Sequence, residues 1–149
     1  MSRRLRLFNA GLRLTVRNRL AEVRDVERAR AEFNLGASLW FRPVPLTRHV
    51  QRPGGLHWIS SGPFRSGKVI LYFHGGGYIV GSPWTHAPLL ARLSRLSGIE
   101  VCAPDYRLAP EAPFPAAFED ACFAWDRLRA LGYAPSDIVL GGDSGGGGL

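Results

Sequence analysis

The chain has 149 residues, 46% of them hydrophobic, and a formal net charge of +7, which suffices for one ordinary domain but is short for a large α/β domain of more than about 200 residues. No apolar run approaches the roughly 18 residues of a membrane-spanning helix, and arginines interrupt the N-terminal apolar stretches, unlike in a signal peptide. The two cysteines, Cys102 and Cys122, fit neither a metal spacing nor a disulfide framework, so both are predicted to be small core residues of a cytoplasmic protein.

The N-terminal segment carries most of the positive charge, because the first 52 residues contain twelve arginines and four acids. Apolar residues recur there at steps of three and four, as on one face of a helix: Leu5, Phe8, Leu12, Val16, Leu20 and Val23. Three interpretations stay open, namely a surface helix, a lid over a substrate pocket, and a helix making weak contact with a membrane surface. A mitochondrial-type transit peptide is disfavoured because residues 1–21 contain a single serine, Ser2.

The next segment predicts a second helix and a hairpin. The helix covers Asp25 to Trp40 and ends before Pro43. Two short strands are predicted from Val44 to Ser60 about a Pro-Gly-Gly turn. The two histidines of this hairpin, His49 and His57, are predicted to lie at the surface.

From Lys68 onward the sequence alternates between strands and helices. The predicted strands are 68–73, 99–103 and 138–141, and the predicted helices are 85–97 and a segment that opens at Pro115 and runs to about Leu131. Such alternation is typical of right-handed βαβ units around a mainly parallel sheet with flanking helices. The fold class is therefore α/β.

A glycine-rich loop, His74-Gly75-Gly76-Gly77-Tyr78, directly follows the first of these strands. Glycines that leave a strand allow backbone N–H groups to point into a cavity without a side chain in the way. Two such donors can stabilise the negative charge of a tetrahedral acyl intermediate. A glycine-rich turn alone is common, so it indicates an oxyanion site only in combination with a second motif that supplies a nucleophile.

That partner is the segment Gly142-Asp143-Ser144-Gly145-Gly146, which matches G-x-S-x-G and follows the strand-like run 137–141. A serine on a sharp strand-to-helix turn, between glycines, is the nucleophile elbow of α/β-hydrolases. The same GDSGG letters occur in trypsin-like proteases, but those are disulfide-rich β-barrels, and helical segments with two cysteines argue against them.

A third motif lies between the two, Asp105-Tyr106-Arg107-Leu108-Ala109-Pro110-Glu111, followed by Phe114-Pro115-Ala116-Ala117-Phe118-Glu119-Asp120. In this order the three motifs resemble the hormone-sensitive-lipase-like family of carboxylesterases and lipases, from about Pro63 to Leu149. The resemblance implies an α/β-hydrolase whose N-terminal helical cap segment is residues 1–42. Residues 43–149 would then be an incomplete hydrolase core that ends at the elbow.

By position, the resemblance implies that Ser144 is the catalytic nucleophile. The oxyanion-hole residues would be Gly75, Gly76, Gly77 and Gly145. Gly75 would shape the loop while the other three donate backbone N–H groups. His74 matches the family's loop histidine, which orders the loop and is not the catalytic base.

The sequence departs from the family pattern at two points. Gly145 replaces the usual alanine, and the run 145–148 consists of glycines that are poor helix formers, at roughly 1 kcal/mol each relative to alanine. The catalytic acid and histidine follow the serine in this fold, so both are expected beyond Leu149. Among the histidines that precede the serine, His86 is the one expected near the pocket rim. Arg107 and Glu111 match the family's buried polar residues that brace strand against helix.

The resulting hypothesis is a serine hydrolase of small-molecule carboxylic esters that works through an acyl-serine and needs no metal or organic cofactor. Two alternatives stay open: a non-catalytic ligand-binding protein on the same fold, and an inactive truncated product. No pattern of basic and aromatic residues indicates nucleic-acid binding, and the oligomeric state is open. The isolated chain is predicted to be poorly soluble and essentially inactive.

Overall fold

A computed structural model describes residues 25–65 and 67–149 of the chain. Its helices are α1 (Val26–Trp40), α2 (Pro83–Ser97), α3 (Ala116–Ala130) and α4 (Gly145–Gly148), with a 3₁₀ turn at Pro135–Asp137. Its strands are β1 (Thr47–Arg52), β2 (Leu56–Ser61), β3 (Val69–Phe73), β4 (Glu100–Pro104) and β5 (Ile138–Gly142). The predicted alternation of strands and helices is confirmed, with boundaries within a few residues.

The five described strands form one sheet in the order β1-β2-β4-β3-β5. The β1–β2 hairpin is antiparallel and joins β4 in antiparallel register, whereas β3 pairs in parallel with both β4 and β5. Leu71 lies opposite Cys102 on one side and Leu140 on the other. The sheet is thus mixed, and its parallel half is the part that ends in the predicted loop and elbow.

Helices cover both faces of the sheet. On one face, α3 packs onto the β3 and β4 side chains through Ala121, Ala124 and Leu128. On the other face, α2 packs through Leu90 and Ala91 against side chains of β2, β3 and β4. Strand β3 is buried on both faces, which explains why its sequence is a continuous apolar run. The core therefore holds the carboxyl end of β3 in a fixed place.

Local signals fix the helix ends. The Asp25 carboxylate accepts a hydrogen bond from the Arg28 amide at 3.0 Å at the start of α1. Ser82 and Thr85 form a reciprocal capping box at the start of α2, and α2 ends at Gly98, which has φ +66°. The first turn of α2 lies near the end of β3, where the His86 ring is 5.3 Å from the ring of His74.

Two predictions about buried residues are wrong. Cys122 is exposed on α3, whereas Cys102 is buried as predicted. His57 is fully buried, because β2 is an inner strand and Trp84 of α2 packs edge-on against the His57 ring. Its hydrogen-bonded neighbour His49 is partly buried as well.

The predicted N-terminal helix, with its lid, membrane-surface and transit-peptide interpretations, lies outside the described residues. The division into a cap segment of residues 1–42 and a core of residues 43–149 stays a prediction, as does the cytoplasmic location. Within residues 25–65 and 67–149, none of the helices combines the length and the apolar character that crossing a membrane requires.

Candidate functional site

Ser144 occupies a sharp turn between β5 and α4. Its backbone lies at φ +49° and ψ −122°, a region that non-glycine residues rarely adopt. The serine is exposed, and its side chain makes no capping hydrogen bond to α4. Strained backbone of this kind persists where the surrounding structure enforces it and is concentrated at functional sites. The predicted elbow geometry is therefore present, with the hydroxyl unengaged by the helix that follows.

Glycines allow this turn to pack tightly. A Cβ on Gly146 would overlap the carbonyl oxygen of Phe73 at the end of β3. A Cβ on Gly142 would lie 2.5 Å from the Gly146 oxygen, closer than van der Waals contact allows. Helix α4 consequently packs directly against the end of β3, and Ser144 lies exposed at the turn that precedes α4.

The glycine-rich loop begins where β3 ends. Gly76 has φ +130°, and a Cβ there would overlap the Val80 carbonyl oxygen. Gly77 (φ +60°) and the non-glycine Tyr78 (φ +62°) continue in the left-handed region. Loop and elbow adjoin, since a Cβ on Gly145 would lie 3.4 Å from the Gly77 nitrogen. The structure thus brings Gly75 and Gly77 of the loop into contact with Asp143 and Gly145, the residues on either side of Ser144.

Three side chains for which the sequence predicted no role join the loop to the elbow. The Gly75 amide donates to Asp143 Oδ1 at 2.9 Å, and the Tyr72 hydroxyl donates to the same oxygen at 3.1 Å. The Tyr78 hydroxyl donates to the Gly145 carbonyl oxygen at 2.6 Å. Their places in the sequence could have indicated a role for two of them, because Asp143 directly precedes the serine and Tyr78 directly follows the three glycines.

His74 lies under the loop and is fully buried. Its Nδ1 donates to the Gly75 carbonyl oxygen at 2.8 Å, and its ring stacks on Tyr106 with centroids 4.3 Å apart. The Tyr106 hydroxyl donates to the His74 carbonyl oxygen at 2.6 Å. Burial lowers the pKa of His74 to about 4, so the ring is neutral at physiological pH. These contacts fit a residue that orders the loop.

The low pKa of His74 predicts an acid-dependent loss of stability. An unfolded histidine titrates near pH 6.5, so between pH 6.5 and about 4 the unfolded state binds the extra proton and stability falls as the pH falls. His74→Gln is expected to lose less unfolding free energy between pH 7 and pH 5 than the wild type does. Urea unfolding at both pH values measures this difference, and an equal loss in both proteins would contradict it.

None of the four histidines, all of which lie in the described part of the chain, is hydrogen-bonded to the Ser144 hydroxyl. His86 Nδ1 lies 3.2 Å from the Ser82 carbonyl oxygen, and its Nε2 lies 3.7 Å from Asp143 Oδ1. His86 is thus beside the elbow, as predicted, with its Nδ1 engaged at the start of α2. His49 and His57 bond to each other at 2.8 Å in the hairpin. Among the described residues, no three His, Cys, Asp or Glu side chains group as a metal-ligand set.

The predicted bracing residues do brace the fold, but they are exposed. Arg107 bonds to Asp120 and Glu119 of α3, with about half of its side chain accessible. The Glu111 carboxylate pairs with Arg30 of α1 and is 62% exposed. The prediction that Arg107 and Glu111 are buried is therefore wrong, because both reach along the surface to an adjacent helix.

Arg30 fastens α1 to two loops. Its Nε donates to the Ile79 carbonyl oxygen at 2.9 Å, just after the glycine-rich loop. Its Nη2 donates to the Ala109 carbonyl oxygen at 3.0 Å, and both terminal nitrogens reach the Glu111 carboxylate. The guanidinium is planar and has five donors, which suits it to this shared role. Helix α1 and the glycine-rich loop are thereby held together.

Comparison with known proteins gives the family. Residues 70–149 match the family model described as alpha/beta hydrolase fold. An acetyl-hydrolase of Streptomyces hygroscopicus is 46% identical over 85 residues, which are 57% of this chain and 28% of that protein. Human hormone-sensitive lipase is 40% identical over 89 residues, 57% of this chain and 8% of that protein.

Solved structures agree over a longer stretch. An esterase from the bacterial hormone-sensitive lipase family matches with a TM-score of 0.80 and 39% identity, covering 89% of this chain and 46% of that one. A mutant of the esterase E40 matches with a TM-score of 0.82 and 37% identity, covering 99% and 50%. The chain spans at most half the length of these relatives. The chain therefore belongs to the alpha/beta hydrolase fold family, and within it the chain is similar to esterases of the hormone-sensitive lipase family.

Proposed function

We propose that the protein hydrolyses small carboxylic esters through an acyl intermediate on Ser144. The observation that carries this proposal is the meeting of the strained, exposed Ser144 with the glycine-rich loop, where Gly145 lies beside Gly77. A nucleophile and a set of backbone donors aimed at one place are what acyl transfer requires.

In the first half of the proposed reaction, the Ser144 hydroxyl oxygen attacks the ester carbonyl carbon while a general base takes its proton. The carbonyl oxygen becomes an oxyanion that the Gly76, Gly77 and Gly145 amides stabilise. When the tetrahedral species collapses, the alcohol leaves with the proton and Ser144 stays acylated. Removal of a single donor of this kind costs on the order of 100–1,000-fold in rate.

In the second half, water attacks the acyl-serine through the same oxyanion site and the carboxylic acid is released. The general base in the proposal is a histidine oriented by an acid, both outside these 149 residues, because each histidine in the chain already has another partner or lies in the hairpin. The proposed reaction needs neither a metal ion nor an organic cofactor.

Short acyl esters are the proposed substrates. The similar proteins include the acetyl-hydrolase described above and an ethyl acetate hydrolase of Pseudomonas putida, which is 43% identical over 91 residues and of which the chain covers 29%. The proposed location is the cytoplasm, where a free buried thiol such as Cys102 stays reduced.

A fluorophosphonate probe tests the proposal directly, because only an activated serine reacts with it quickly. The protein is expressed from the complete reading frame that encodes this chain, labelled, digested and analysed by mass spectrometry. The expected adduct maps to Ser144, and p-nitrophenyl acetate competes for labelling. A folded protein that resists the probe at Ser144 would instead support a ligand-binding protein on the same fold.

A further inference from the structure

Two hydrogen bonds cross between the glycine-rich loop and the elbow, one on each side of the donors. On one side, Asp143 Oδ1 accepts from the Gly75 amide at 2.9 Å. On the other side, the Tyr78 hydroxyl donates to the Gly145 carbonyl oxygen at 2.6 Å. Neither side chain has a role in the bond-making steps described above. Both connect backbone segments far apart in the sequence.

The Asp143 bond is closely packed. A Cβ on Gly75 would overlap Asp143 Oδ2, so a residue without a side chain is needed where the carboxylate meets the Gly75 amide. The Tyr72 hydroxyl donates to the same oxygen, and its own pKa is raised to about 12 by burial and by the Asp143 charge, which keeps this donor protonated. His86 Nε2 lies 3.7 Å from the carboxylate, and the Asp143 charge also acts on the buried side chains of His74 and Tyr106.

The negative charge of Asp143 does not explain why a carboxylate would lie beside the proposed oxyanion site. A carboxylate next to a site where an oxyanion develops opposes that charge by Coulomb repulsion. Its acceptor geometry, by contrast, holds the residue just before the Gly76 and Gly77 donors. The acceptor function and the charge can be separated, because asparagine keeps an Oδ1 acceptor and carries no charge.

Tyr78 acts on the opposite side of the same gap. Its ring lies 3.5 Å from the position of a Gly145 Cβ, so both ring and hydroxyl contact the elbow. A run of glycines provides little rigidity of its own in a four-residue helix. The tyrosine therefore supplies a restraint that the glycine-rich backbone lacks.

Resting on the ester hydrolysis proposed above, we propose that Asp143 and Tyr78 are positioning residues that set the distance between the Gly76 and Gly77 donors and the Gly145 donor. Oxyanion donors must lie within about 2.7–3.1 Å of the developing charge, and a misplacement near 1 Å costs on the order of 100-fold in rate. Loss of either bond changes the separation of the donors without removing a donor.

Steady-state kinetics of four variants test the proposal. Tyr78→Phe and Asp143→Ala are expected to lower kcat for p-nitrophenyl acetate by roughly 10–100-fold with KM changed less than about threefold, because the donors act mainly in the transition state. Asp143→Asn is expected to retain kcat within about threefold. The control is Tyr133→Phe, since the Tyr133 hydroxyl makes no hydrogen bond to a described residue and its ring packs against Trp58.

Equal losses in Asp143→Asn and Asp143→Ala would overturn the positioning role of Asp143, because charge would then be the cause. A Tyr78→Phe enzyme with wild-type kcat would overturn the role of Tyr78. Thermal unfolding of each variant shows whether a lost rate reflects lost folding, and Tyr78→Phe removes a single oxygen atom.

Amide hydrogen exchange separates this proposal from the proposed function. The Gly75 amide is expected to exchange at least about tenfold faster in Asp143→Ala than in the wild type, and Asp143→Asn is expected to retain its protection. This result does not depend on activity. If the wild type resists the fluorophosphonate probe but the variants show this exchange pattern, the proposed function is contradicted and the positioning role of Asp143 still stands. If Gly75 exchange is unchanged in Asp143→Ala, the positioning role of Asp143 is contradicted.

Discussion

Ser144→Ala is expected to lower kcat/KM for a short carboxylic ester by on the order of 10⁵-fold or more while the protein stays folded. The variant keeps every backbone donor and removes only the hydroxyl that would form the acyl bond. The residual rate would come from binding and from the oxyanion donors. Since the Ser144 side chain makes no capping hydrogen bond, its loss is expected to shift the unfolding midpoint by less than about 2 °C.

The matched control is Ser136→Ala, an exposed serine in the 3₁₀ turn before β5. It is expected to retain wild-type kinetics and wild-type stability. Initial rates with p-nitrophenyl acetate and thermal unfolding by circular dichroism measure both properties. A Ser144→Ala protein that hydrolyses the ester within tenfold of the wild-type rate would assign the chemistry to another residue.

Gly146→Ala is expected to be the most destabilising alanine substitution in the elbow, by roughly 3 kcal/mol or more. Its Cβ would overlap the Phe73 carbonyl oxygen, and the backbone of β3 is held on both faces by core side chains. Helix α4 would have to move away from the strand and carry the Gly145 donor with it. Activity and stability are therefore expected to fall together, with the unfolding midpoint lower by about 6 °C or more.

The same substitution one residue earlier provides the control. A Cβ on Gly145 would meet its neighbours at 3.4 Å or more, which is ordinary van der Waals contact. Gly145→Ala is expected to keep activity within a few-fold and to raise stability by up to about 1 kcal/mol, because alanine loses less conformational entropy in a helix. Denaturant unfolding of both variants compares them, and a similar loss of stability in both would show that the contact with Phe73 is not the cause.

The architecture of the parallel half of the sheet was predictable because its central strand is buried on both faces. A continuous apolar run such as 69–73, with a glycine-rich turn and then a helix after it, is typical of a strand inside a parallel sheet. The positions of Ser144 and of the glycines next to it were predictable as well, because the G-x-S-x-G motif directly follows a strand and is typical of a sharp turn from strand to helix. Their catalytic roles stay predictions.

Other features depend on contacts between distant residues. The burial of His57 follows from the place of β2 between β1 and β4, which local alternation does not reveal. The Tyr78–Gly145 hydrogen bond joins residues 67 positions apart. Tyr78 stands next to a recognised motif, yet neither its direction nor its partner follows from the sequence around it.

The contacts of Arg30 limit how freely the N-terminal part can be exchanged between related hydrolases. A chimera that takes α1 from a relative without an arginine at this place would leave the Ile79 and Ala109 carbonyl oxygens without their shared donor and Glu111 without its cation. Helix α1 and the 105–111 loop therefore have to come from the same parent protein, although they are far apart in the sequence. Recombination points for hybrid enzymes belong outside the interval between Arg30 and Glu111, or the two residues must be transferred as a pair.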